Sequence, residues 1–245
     1  MKIDSDLNPV VIAKSVVNTT LAGASSCIVA LLLNLVIAER KTGEPVYNIS
    51  SAMNGCLAGL AASAGNCGII EPWAAIVIGL IAGLIYLGTS ALLDKFCIDD
   101  AVNAIPVHFG GGAWGVLATG LFSSPKGLRE FYGQDEFVGW FYSWGRGSGD
   151  FALMACQITG LISIILWTVV IMTPFFFILN YMGLFRSDAL EEIVGLDISF
   201  HGYSPGGVPQ NQIHEYYRKH KRYDLVMPEQ DNEHDHDHEI TDRFE

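Results

Sequence analysis

Charged residues are scarce in this chain of 245 residues, and their scarcity excludes an ordinary soluble domain. Only 16% of the residues are charged, whereas half are hydrophobic, which is typical of a protein that crosses a membrane several times. Basic residues are the rarer sign, with 14 Lys and Arg against 26 Asp and Glu. Because most of the net charge of -12 comes from the C-terminal tail, nothing indicates a nucleic-acid partner.

The sequence also lacks the side-chain patterns of a metal centre or an enzyme. No nucleophile stands beside a general base in the apolar region, so we expect neither enzymatic activity nor a cofactor nor a bound metal. The cysteines have neither the spacing of a zinc site nor that of a disulfide framework. We interpret all five as small apolar side chains, namely Cys27, Cys56, Cys67, Cys97 and Cys156.

Five apolar stretches are present, and crossing a hydrocarbon core takes about 20 residues of helix. They predict an all-α fold, a polytopic membrane bundle of five transmembrane helices at about 9–38, 46–64, 72–93, 100–122 and 151–185. Small residues such as Gly55 and Gly59 recur at the spacing that lets helices approach closely. Lys14 lies near enough to a helix start to reach the membrane interface. Residues 1–185 would form the membrane region.

The remaining segments are a long loop and a tail. Residues 123–150 are rich in aromatic side chains, which we interpret as a membrane-interface belt; a cation-binding cluster is the alternative. Residues 186–245 would form a tail, whose acidic and His-rich end at 233–239 is expected to be disordered. That end could bind divalent metal weakly, although nothing in it fixes a coordination geometry.

A functional hypothesis depends on His108. It is the one histidine of seven that lies inside an apolar stretch, where an ionisable side chain is costly unless it lines a cavity or has a partner. Packing in the core is the alternative interpretation. The glycines around it allow close helix contacts; they are Gly110, Gly111, Gly112, Gly115 and Gly120.

The order of motifs from about residue 10 to residue 203 resembles the ammonium transporter (Amt/Mep/Rh) family. An acidic pair at Asp99 and Asp100, then Val-His ending at His108, the glycines and a Gly-Leu-Phe ending at Phe122 are similar to the tenth helix of the family. Further motifs in the family's order are Val16-Val17-Asn18-Thr19, Asn66-Cys67-Gly68, Glu71-Pro72-Trp73, Gly195-Leu196-Asp197 and His201-Gly202.

The resemblance covers the last five of the family's eleven helices and its cytosolic tail. It implies one half of an inverted-repeat fold, a trimer, a plasma-membrane location and a cytosolic C-terminus. Each subunit of the family has its own apolar pore with two histidines, and His108 matches the second of them. Leu57 and Ala104 match positions in the pore wall. We assign Asp99, Asp100 and Asn103 to helix capping and structure.

The resemblance also covers a regulatory element in the tail. Its matching positions are Gly195, Asp197, His201 and Gly202. This chain departs from the family after His-Gly, where Tyr203-Ser204-Pro205 replaces the usual Glu-x-Ala-Tyr. We therefore expect the regulatory contacts of the tail to differ from those of the family.

The implied function is transport of ammonium or ammonia through an apolar pore lined by a histidine. Ammonium is a hydrated cation that enters a narrow apolar pore only at high cost, whereas ammonia is small and neutral. A neutral imidazole accepts a hydrogen bond at one nitrogen and donates one at the other, which suits such a guest.

The family's first six helices, which carry the partner histidine, have no counterpart in the sequence. We therefore expect a fragment, or a subunit that acts as a homotrimer or with a complementary N-terminal half. One alternative is a truncated, non-transporting subunit that modulates full-length transporters. A divalent-metal transporter is a further alternative, which the His-rich tail suggests. Against it, no Asp or Glu lies in the turn after His108.

Overall fold

The structure is a computed structural model that describes residues 9–186, and within this range it is helical without strands. This confirms the all-α prediction. A π-helix, Ile105–Gly110, runs directly into helix α4. The α-helices are α1 Pro9–Thr42, α2 Ile49–Ser63, α3 Pro72–Lys95, α4 Gly111–Phe122, α5 Pro125–Tyr132, α6 Trp140–Gly145 and α7 Ala152–Tyr181.

Three helices are long and apolar enough to cross a membrane, judged by length and composition alone. They are α1, α3 and α7. The other two predicted spans correspond to the shorter α2 and to the continuous helical stretch 105–122. Each of the five apolar stretches is therefore helical, and the described part of the chain has the composition of a membrane protein.

Three helix ends differ by four or more residues from the sequence-based positions, and one of them is the end of α7, at Tyr181 rather than at residue 185. Helix α1 continues past the predicted end at Ala38 to Thr42, because Arg40 and Lys41 in its last turn suit the negative end of the helix dipole. The fourth helix begins at Ile105 rather than at residue 100. Asn103 before it has a left-handed backbone, with φ of 57°, which interrupts a helix there.

The start of the π-helix is capped by Asp100, as the assignment of this residue predicted. Its carboxylate accepts hydrogen bonds from the backbone N–H groups of Ala104 and Ile105, both at 2.8 Å. The Ser90 hydroxyl donates to Asn103 Oδ1 at 3.0 Å. These contacts satisfy the first free N–H groups of the helix and link its start to α3.

The stretch 123–150, predicted to be a long loop, contains the short helices α5 and α6. The Ser124 side chain caps α5 by accepting from the Gly127 N–H at 2.9 Å, and Pro125 occupies the first turn. Gly133 ends the helix with φ of 74°. Ser-Pro at the start and Gly after the end are helix signals that the sequence already carries.

Helices α1 to α4 pack through small residues, as the glycine spacing predicted. A Cβ atom on Gly59 would overlap the Ala22 carbonyl, and one on Gly115 would overlap the Ala62 carbonyl. Buried Asn18 adds polar contacts: its Nδ2 donates to Cys67 O at 2.7 Å and to Ile70 O at 3.0 Å. It therefore joins α1 to the segment between α2 and α3.

The chain divides into two compact units between Val169 and Val170, within α7. The helix packing described above and the candidate site lie in the first unit. In the second unit, the Phe176 ring contacts the rings of Phe175 and Phe185. The division into a membrane region and a tail at residue 186 stays a prediction. The predicted tail positions Gly195, Asp197, His201 and Gly202, like the His-rich end, lie outside the described residues.

Candidate functional site

The helical stretch 105–122 has a packed side and an open side. Pro106, Val107, Gly111 and Gly115 are buried, and Gly111 and Gly115 approach the backbone of α2. His108 lies on the other side and is exposed. Among residues 9–186, no side chain or backbone group forms a hydrogen bond with its ring. The histidine therefore belongs to an open surface of this chain rather than to its core.

The two predicted pore-wall residues are also exposed. Ala104 precedes His108 by four residues, close to one helical turn, and is also exposed. Leu57 on α2 is 47% exposed. Asn54, one turn before Leu57, donates to Val102 O at 3.5 Å, so this side of α2 faces the segment that leads into the π-helix.

A groove of about 560 Å³ lies further along the same two helices, and His108, Leu57 and Ala104 are not among its lining residues. Ala61 lines it one turn after Leu57, and Gly112 and Val116 line it one and two turns after His108. A methyl group on Gly112 would meet no atom within 4 Å, so the groove is open at this position, one helical turn from the histidine. The nearer walls of the groove are therefore small or apolar.

The far end of the groove is polar and aromatic; the sequence showed the aromatic residues of 123–150 but did not indicate that they line a groove. Its lining comes from the end of α5, the following loop and the start of α7, and includes Tyr132, Gln134, Glu136, Phe137 and Gln157. The loop is folded back by a hydrogen bond from Gly139 N to Ser123 O at 2.9 Å. Tertiary contacts of this kind bring the residues to the groove, so hydropathy and spacing could not have placed them there.

Lys14 forms ion pairs that the sequence did not indicate. Its Nζ lies 3.1 Å from Glu71 Oε1 and 3.7 Å from Glu130 Oε2, and its side chain is only 11% exposed. These ion pairs are partly buried, and the position of Lys14 at the membrane interface stays a prediction. Desolvation raises the pKa of Glu71, but hydrogen bonds from Lys14 and Ser124, with the positive charge of Lys14, outweigh it and lower the pKa.

A second ion-pair cluster holds the loop after α5. Asp135 Oδ2 accepts from both Arg129 and Arg146 at 2.8 Å. These side-chain hydrogen bonds lower the pKa of Asp135. The two arginines of the loop are thus engaged by Asp135, whereas its neighbour Glu136 forms no ion pair with any residue in the range 9–186.

Metal ligands do not cluster in the described part of the chain. Residues 9–186 contain no group of three or more His, Cys, Asp or Glu side chains that could hold a metal ion. The five cysteines are free thiols. What the site offers instead is one exposed imidazole, one helical turn from an open, mostly apolar groove with a polar end.

The sequence matches one family along most of its length. The profile described as the Ammonium Transporter Family matches residues 3–205. Ammonium transporter 1 member 2 of Arabidopsis thaliana is 36% identical over 191 residues, which is 78% of this chain and 35% of that relative. Ammonium transporter 1 member 3 of Solanum lycopersicum is 34% identical over 78% of this chain and 40% of its own length. The chain thus spans little more than a third of these curated relatives.

Solved structures give the same grouping. The structure described as Sensor Amt Protein is 26% identical, with a TM-score of 0.61 over 79% of this chain and 43% of that chain. The crystal structure of Saccharomyces cerevisiae Mep2 has a TM-score of 0.61 over 73% of this chain and 38% of its own, at 22% identity. The second likeness concerns the fold alone.

Proposed function

This chain belongs to the ammonium transporter family, and from that premise we propose that it supplies one part of a conduction path for ammonium or ammonia. The family consists of transporters rather than enzymes, in agreement with the sequence-based prediction. In the proposed function, the path follows the groove, His108 is its polar wall group, and Leu57 and Ala104 are its apolar walls.

The observation that carries the proposal is the placement of His108 on the open side of its helix. The close backbone contacts of this stretch are made at Gly111 and Gly115, whereas His108 is exposed, so the ring is not a packing element. At membrane depth an exposed imidazole needs water, a guest or a polar partner, because lipid offers none. A groove that Gly112 lines, one helical turn further along, provides space for such a guest.

The chemistry of the site suits a small neutral guest with hydrogen-bonding capacity. Leu57 and Ala104 offer no hydrogen bonds, so a fully charged ammonium ion would lose hydration there without compensation. A neutral imidazole could donate to ammonia at one nitrogen and accept from it at the other. His108 would thus stabilise ammonia where the rest of the wall cannot.

The same proposal includes assembly and location. The open groove would be closed by further protein, either a complementary N-terminal half or other copies of the chain in a trimer. We place the assembly in the plasma membrane with a cytosolic C-terminus. Gly195, Asp197, His201 and Gly202 would then form a regulatory element on the cytosolic side.

Uptake of radiolabelled methylammonium tests the proposal in yeast that lacks its own ammonium transporters. The chain is expressed alone, with a complementary N-terminal half, or with a full-length family member. We expect His108→Ala to reduce the chain-dependent uptake about tenfold or more, since one lost hydrogen bond worth about 1.4 kcal/mol gives that factor. His214→Ala is the matched control, because it makes the same change in the tail.

The outcomes separate the proposal from its alternative. Equal uptake by the His108→Ala and wild-type proteins, with normal expression, would refute the role of His108. One second candidate is a non-transporting subunit that modulates full-length transporters. That candidate predicts no uptake under any pairing, and lower uptake when the wild-type chain is expressed with a full-length transporter.

A further inference from the structure

We propose that Cys27 on α1 and Cys56 on α2 form an oxidisable pair, which hydrogen peroxide converts into a disulfide that links the two helices and stabilises them. Both thiols are free and neither is fully buried, so a small neutral oxidant can reach them. The site therefore takes a peroxide, and its product is a reversible covalent link within one chain. The proposal rests on helix packing and does not depend on the conduction role of His108.

The packing of the two helices places Cys56 against the turn of α1 that precedes Cys27. Gly23, one turn before Cys27, has no side chain, and a Cβ atom there would lie 3.5 Å from Cys56 Sγ. Side chains of a helix lean toward its N-terminus and cover the turn before their own Cα atom. The side chain of Cys27 therefore leans toward the sulfur of Cys56. The two thiols also interact electrostatically, which agrees with this placement.

Helices α1 and α2 approach each other closely enough for a disulfide. A Cβ atom on Gly55 would lie 3.7 Å from Ala30 Cα, and Ser26 Oγ donates to Gly55 O at 2.6 Å. Ser26 directly precedes Cys27, and Gly55 directly precedes Cys56. A disulfide needs Cα atoms about 4.4–6.8 Å apart. Because the backbones are in contact one residue away from each cysteine, the helices meet this requirement.

The other three cysteines lie on different segments of the chain. They follow α2, follow α3 and lie on α7, and are Cys67, Cys97 and Cys156. Cys27 and Cys56 are on two helices that pack directly against each other through small residues. They are far apart in the sequence, so spacing could not reveal the pair. The other cysteines therefore serve as internal controls.

Hydrogen peroxide supplies the oxidising power for the link. The thiolate of one cysteine attacks a peroxide oxygen, the O–O bond breaks, and a sulfenic acid and, after protonation, a first water form. The sulfur of the second cysteine loses its proton and attacks the sulfenic sulfur, and the S–O bond breaks to release a second water. Both thiols are oxidised and one peroxide is reduced. Because apolar surroundings disfavour the thiolate, we expect a slow reaction.

Counting free thiols tests the proposal. The full chain in lipid nanodiscs is incubated with hydrogen peroxide, denatured and labelled with a maleimide polymer that adds a fixed mass to each free thiol. The reduced chain has five thiols, so the disulfide should leave three, and dithiothreitol should restore five. Cys27→Ser and Cys56→Ser should not lose a pair of thiols. Cys67→Ser is the matched control, which should lose a pair as the wild type does.

A second measurement identifies the linked residues. Mass spectrometry of the digested, unreduced chain should find the peptide that contains Cys27 joined to the one that contains Cys56. Five free thiols in the peroxide-treated wild type would overturn the proposal. The loss of a pair in Cys27→Ser, a loss that dithiothreitol does not reverse, or a link between two chains would overturn it as well.

The effect of the link on stability is measured on the same samples. Cross-linking lowers the entropy of the unfolded chain, so we expect peroxide to raise the melting temperature of the wild type by about 5 °C. Cys56→Ser should show no such rise. A wild type that contains the disulfide but melts no higher would refute the stabilising effect of the link.

Discussion

Two neighbouring glycines of the helical stretch 105–122, Gly112 and Gly115, serve opposite purposes. At Gly115 the backbone of α2 is so close that any side chain would overlap the Ala62 carbonyl. At Gly112, three residues away, a methyl group would touch nothing within 4 Å. One glycine permits contact between helices and the other leaves a groove open. A glycine in a membrane helix can therefore be assigned to helix packing only when the atoms that face it are known.

Polar side chains show the same contrast. Asn66 is buried, and its Nδ2 donates to Ala62 O at 2.9 Å and to Gly115 O at 3.1 Å. His108 is exposed and forms no such bond with the residues described. The Asn66 amide group is buried and donates within the protein, whereas the His108 ring is exposed and therefore available to a guest.

The largest expected difference in stability between the two sides comes from adding one methyl group to each. Gly115→Ala should destabilise the chain by about 2–3 kcal/mol, since the helices must move apart to relieve the overlap. Gly112→Ala should be neutral or stabilise it by up to about 1 kcal/mol, the usual gain in a helix interior. Thermal unfolding of both variants in the same detergent measures the difference.

The pair is its own control, because both variants make the same substitution in one helix. Equal losses of stability would show that the side containing Gly112 is packed as well, and the distinction between the two sides would fail. A destabilised Gly115→Ala with an intact Gly112→Ala would support it.

Much of the fold could be predicted from the sequence because lipid imposes a simple rule. Each uncharged stretch had to become helix, since unsatisfied backbone groups are costly in a bilayer. Local exceptions arose where polar residues decide the geometry. Asp100 and the left-handed Asn103 delay the fourth helix to Ile105. Arg40 and Lys41 extend the first helix.

The candidate site could be predicted only in part. The positions of His108, Leu57 and Ala104 came from the resemblance, and their roles stay predictions. The polar end of the groove was not predicted, because Gln134 and Glu136 reach it through the fold of a loop. Ion pairs of Asp135 and the backbone contact of Gly139 hold that loop, and neither follows from local sequence.

A smaller effect is expected when a polar contact on the packed side is removed. Asn66→Leu keeps the approximate volume but loses both hydrogen bonds that join α2 and α4. We expect the free energy of unfolding to fall by about 1–2 kcal/mol. The fall is reduced because Asn66 Oδ1 has no partner among residues 9–186 in the wild type. Asn54→Leu, which removes only a 3.5 Å bond, is the control. Chemical or thermal unfolding that ranks Asn54→Leu as the more damaging change would contradict this view.

The smallest expected effect appears only when pH is varied. Glu71 joins the start of α3 to Lys14 and Ser124. Its pKa in the folded chain lies below the ordinary value of 4.5, so the unfolded chain takes up this proton more readily. The carboxylate therefore contributes its full stabilisation above pH 4.5 and loses it as the pH falls through the lower, folded pKa.

Melting temperatures of wild type and Glu71→Gln, measured from neutral pH downward, test this linkage. The advantage of wild type over Glu71→Gln should be largest at neutral pH and should shrink in acid. In a Lys14→Met background the pH-dependent part of that advantage should largely disappear, because the main partner of the carboxylate is gone. An advantage that instead grows in acid would mean that burial raises the pKa of Glu71 more than its hydrogen bonds lower it. The Glu71 carboxylate would then be poorly satisfied by its partners Lys14 and Ser124.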